Sequence, residues 1–147
     1  MNSNDPRPAA VLAAVRRLHP QYAQAAEEVI GDLLDWSSAY PDLGISDRQN
    51  ETNIFQVELS SSNTVVWAAR TYRTTGAFIS LLSWKNPALQ GGFESELIQD
   101  LNKLRRDGPL RPGDELRIGV ADLHAPGALN QLRSTLEKVL ARARAAA

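Results

Sequence analysis

At 147 residues the chain fits one domain, large enough to bury roughly 70% of the surface its unfolded form exposes. A hydrophobic content of 43% and a charged content of 22% are ordinary for a soluble globular protein, and 16 basic against 17 acidic residues leave no global field to attract nucleic acid. The lack of cysteine excludes a disulfide framework, thiolate catalysis and thiolate metal sites, and fits a cytoplasmic location. No apolar run approaches the roughly 20 residues that span a bilayer, and Met1–Pro8 lacks the apolar core of a signal peptide.

Val11, Leu12, Val15 and Leu18 recur at helical spacing and predict a first helix from about Pro8, leaving residues 1–7 as a flexible N-terminus and 8–144 as a single domain. His19-Pro20 breaks that helix, because the residue before a proline is pushed out of the helical region. A second helix, Pro20–Ser38, carries Tyr22, Ala26, Val29, Ile30, Leu33 and Trp36 on one side and Glu27, Glu28, Asp32 and Asp35 on the other. Pro41-Asp42-Leu43-Gly44 reads as a turn.

Three strands follow. Phe55, Val57 and Leu59 alternate with Gln56, Glu58 and Ser60; Thr64–Thr74 is rich in β-branched and aromatic residues; and Ala77–Lys85 is apolar on both faces. The short loops Ser60–Asn63 and Thr74–Gly76 predict antiparallel pairing. By parity Trp67 is expected in the core with Val65 and Ala69, and Tyr72 with Arg70 on the opposite face. In the third strand Ile79 and Leu81 face one way and Phe78, Leu82 and Trp84 the other, so that strand is expected inside the sheet, covered by helices or by another chain.

A third helix is expected over Phe93–Arg106, with Glu94 and Glu96 at its start and Arg105 and Arg106 at its end to match the macrodipole. Leu116, Ile118 and Val120 then alternate as a fourth strand, and Pro126 opens a last helix that frays into Ala141–Ala147. The predicted fold is α+β with the order ααβββαβα: an antiparallel meander with helices packed on it.

No catalytic constellation accompanies this architecture. His19 and His124 are far apart, and neither has a metal-ligand pattern around it. Gly91-Gly92 lacks the lysine and the spacing of a phosphate loop. The αβββαβ order is shared with a nuclease core that needs carboxylates on its second and third strands. The matching triplet here is Ser83-Trp84-Lys85, and no carboxylate lies between Ser60 and Gly92. The dispersed carboxylates Asp42, Asp47 and Glu51 form no recognisable pair. Trp67, Arg70, Tyr72 and Arg73 have the composition of a single-strand stacking surface, but Arg70 and Arg73 fall on opposite faces. The chain is therefore read as a non-enzyme without cofactor or metal, and direct nucleic-acid or membrane binding is not expected.

From about Leu33 to Leu140 the chain resembles the YbjN-like family, whose fold is that of the dimeric chaperones of type III secretion. The resemblance rests on a helix, Phe55-Gln56-Val57-Glu58-Leu59 and two further strands. After these come a helix with Leu101-Asn102-Lys103-Leu104, then Gly108, a strand and a closing helix. It departs from those chaperones in having one clear strand after the central helix and in being less acidic. It implies a cytoplasmic homodimer that holds a protein client, with Leu97, Leu101 and Leu104 at the two-fold contact; the face carrying Arg70 and Tyr72 is expected to receive the client, because tyrosine and arginine favour protein interfaces. The alternative is a nucleic-acid-associated protein on a catalytically degenerate nuclease-like scaffold.

Overall fold

The first helix, α1 (Pro6–Leu18), starts two residues earlier than its apolar spacing indicates, because Asp5 caps it. Asp5 accepts the backbone N–H of Arg7 at 2.9 Å and pairs with its guanidinium at 3.0 Å, while Pro6 supplies a preset φ in the first turn. The computed structural model describes residues 5–46, 53–81 and 92–146. Leu82, the Ser83-Trp84-Lys85 triplet, Gly91, Asp47 and Glu51 lie outside them. After a 3₁₀ turn at Pro20–Tyr22 come α2 (Ala23–Ser38), β1 (Leu43–Ile45), β2 (Ile54–Leu59), β3 (Val65–Tyr72) and β4 (Gly76–Ser80). Then follow α3 (Phe93–Asn102), β5 (Arg117–Gly119), α4 (Val120–Leu123) and α5 (Ala128–Ala146).

The strands form one sheet in the order β1-β2-β3-β4-β5, with every neighbouring pair antiparallel. The α+β meander with helices on the sheet is thus the observed architecture. Leu43 and Gly44, read as part of a turn, join Ile45 in a short edge strand that pairs with Val57–Leu59. The nuclease core places its last strand parallel to a neighbour, whereas β5 here runs antiparallel to β4. Among the described residues no helix is long and apolar enough to cross a membrane.

The apolar faces of all the longer helices meet one side of this sheet in a single core. Phe55 and Trp67 pack edge to face at 5.5 Å, and the Trp67 Nε1–H donates to Ser37 Oγ at 2.9 Å, which itself donates to the Leu33 carbonyl at 2.7 Å. That chain of bonds ties the central strand to α2 and satisfies the indole inside an apolar core. Trp67 and Ala69 lie there as expected, but Val65 does not. Val57 pairs with Trp67 and Glu58 with Val65, so Val66 is an extra residue, a β-bulge that reverses the parity before it. Val66 joins the core, while Val65 clusters with Ala68 on the other face.

Two helix ends also differ from expectation. α3 stops at Asn102, because its side-chain amide pairs with the backbone of Leu110 in both directions, at 2.7 and 3.3 Å. Arg105 therefore lies beyond the helix and donates to the Gly108 and Arg117 carbonyls instead. α5 does not fray at Ala141: Ala143 is fully buried, and Arg144 grips Asp42 with two bonds of 2.8 Å while lying over the Tyr40 ring. The acidic side of α2 is met from other elements, Glu27 by Arg16, Glu28 by His124 and Asp32 by Arg133.

Candidate functional site

The face of the sheet turned away from the helices holds both residues expected to meet a client. Register sets Ile54, Arg70, Phe78 and Gly119 in one row across it, and Gln56, Ala68, Ser80 and Arg117 in the next. Glu115, two residues before Arg117, reaches over these rows and gathers their polar groups. It accepts from Tyr72 Oη at 2.7 Å, from Ser80 Oγ at 3.0 Å and from Arg70 Nη1 at 3.0 Å, with Arg117 Nη1 at 3.7 Å. Its carboxylate is 19% exposed, buried enough for these charge-assisted bonds to matter. Around it the Arg117 guanidinium lies 4.2 Å from the Phe78 ring and 5.1 Å from that of Tyr72, and Arg70 lies 5.2 Å from Tyr72. Tyr72 and Phe78 meet edge to face at 5.6 Å.

Tyr72 shows the electrostatics of the cluster. Its hydroxyl is held above the ordinary tyrosine pKa, first by burial and then by the hydrogen bond to Glu115, since a phenolate would face that carboxylate. The neutral phenol therefore adds stability that is fully present below about pH 10 and is lost as pH rises through the higher folded value. Glu115→Gln is expected to bring the Tyr72 titration back toward 10, read as phenolate absorbance with Tyr72→Phe to assign it. An unchanged titration would show that the carboxylate has no part in the shift.

The structure brings Arg70 and Tyr72 together as expected, but as members of a network. Neither is a free surface group. Glu115 was not singled out from the sequence; the signal available was its position two residues from Arg117 on a strand of alternating polarity. Leu97 and Leu101 are buried in the chain's own core, and Leu104, in the turn after α3, is partly buried against it. His19, at the C-terminal end of α1, is buried, and its Nε2–H donates to the Tyr72 carbonyl at 2.6 Å. It thus pins the break between α1 and α2 to the end of β3. No protein-family model, curated protein or solved structure matches this chain.

Proposed function

We propose that the protein is a non-enzymatic, chaperone-like binding protein that works as a cytoplasmic homodimer and holds a protein client on the sheet face carrying Arg70 and Tyr72. The observation that supports this reading most is the segregation of the sheet. Every longer helix serves one face, and the other gathers Tyr72, Phe78, Arg70 and Arg117 into an aromatic and cationic cluster. Tyrosine and arginine are the residue types that dominate interface energetics, because each offers large contact area with a polar end. Of the three α3-region leucines, Leu104 alone keeps exposed surface for a second copy. The nucleic-acid alternative loses support from the antiparallel β5.

The test is capture of clients by the full-length protein and by Arg70→Ala/Tyr72→Ala, with a thermal melt as control. Binding of an identified client should weaken by about 1–2 kcal/mol or more. A variant that stays folded and holds that client undiminished would remove this face from the site.

A further inference from the structure

A cavity of about 100 Å³ lies where the 3₁₀ turn before α2, the β3–β4 loop and the β5–α4 junction converge, and it shares only Phe78 with the Glu115 cluster. Its lining includes the rings of Tyr22 and Phe78, the glycines Gly76 and Gly119, and the acidic residues Asp107 and Asp122, with no basic residue among them. It has room for several water molecules or one small organic group.

Asp122 is 8% exposed, yet it receives little. Its Oδ2 accepts the Arg106 backbone N–H at 3.3 Å, and Oδ1 accepts no bond from a described residue. A carboxylate so deeply buried ordinarily has an ion partner or several strong donors. Among the described residues no guanidinium or ammonium pairs with Asp122, and that of Arg117, over the Phe78 ring, is committed to Glu115.

Gly119 gives a second, independent indication. Its φ of −66° and ψ of 144° suit any residue, so the backbone does not demand glycine. A Cβ there would stand 3.9 Å from Phe78 Cε1 and 4.0 Å from Asp122 Oδ2, between the ring and the carboxylate. The missing side chain keeps open the space where a ligand would touch both.

We propose that this cavity binds a primary ammonium group, the end of a lysine side chain or of a small free amine, against Asp122. An ammonium brings three donors to an under-satisfied carboxylate and is attracted to aromatic faces. A divalent metal fits less well, because among the described residues no three carboxylate or imidazole ligands come together.

The test is titration of the full-length protein with methylammonium chloride, followed by amide NMR against sodium chloride at equal ionic strength. Saturable shifts at Gly76, Gly119 and Asp122 are expected at roughly millimolar concentration. Asp122→Asn and Gly119→Ala should each weaken them at least about tenfold, the first by removing charge and the second by filling the space. Gly119→Ala decides the matter if Asp122→Asn fails to fold. Equal or tighter binding of Nα-acetyl-lysine amide assigns the site to a lysine side chain, and binding of methylammonium alone assigns it to a small amine. Shifts that do not saturate, that sodium chloride reproduces, or that survive both substitutions overturn the proposal.

Discussion

Leu101→Asp is expected to abolish cooperative folding. Leu101 is 1% exposed, in the core shared by α3, α5 and the sheet, so an aspartate there would be a buried charge without a partner. That costs several kcal/mol, comparable with the roughly 5–15 kcal/mol that holds a typical domain together. Leu101→Ala should remain folded but lose about 2–5 kcal/mol, the transfer free energy of the deleted atoms plus the cavity they leave. Urea unfolding followed by tryptophan fluorescence checks both, since Trp67 sits in the same core. A Leu101→Asp protein that melts like the wild type would move this side chain out of the core and back to a contact between two copies.

The second large effect is expected at Glu115. Glu115→Ala deprives Arg70, Tyr72 and Ser80 of a shared acceptor and leaves the Arg70 and Arg117 guanidinium groups near one tyrosine ring without a counter-charge. Removing one side of a partly buried, charge-assisted network costs about 2–4 kcal/mol, which lowers the melting temperature of a domain this size by roughly 5–12 °C. Adding Arg117→Ala should recover part of that loss, because it removes one of the two stranded charges. A melting temperature unchanged by Glu115→Ala would reduce the cluster to solvated surface groups.

The long helices were legible because Val11 and Val15, Val29 and Leu33, and Leu132 and Leu136 repeat at a period that only a helix places on one face. The order of the meander was legible because its loops are short. Other features depend on what lies beside them in space. The β1 strand has three residues with glycine at the centre, too few for a pattern, and exists because β2 offers it an edge. The bulge at Val66 sits in Val65-Val66-Trp67, an unbroken apolar run in which alternation gives no sign of slipped parity. The tail of α5 looks featureless until Asp42, far back in the chain, meets Arg144. The Glu115 cluster needs β3, β4 and β5 side by side, an order no local pattern encodes. In the same way, the spacing of Leu97, Leu101 and Leu104 identifies an apolar helix face without saying whether that face meets its own chain or a second one.

The proposed function requires a homodimer. Sedimentation equilibrium of the full-length protein at micromolar concentration tests this most directly. The predicted result is a species of twice 16.1 kDa that dissociates on dilution. A single species of 16.1 kDa across the whole concentration range would contradict it.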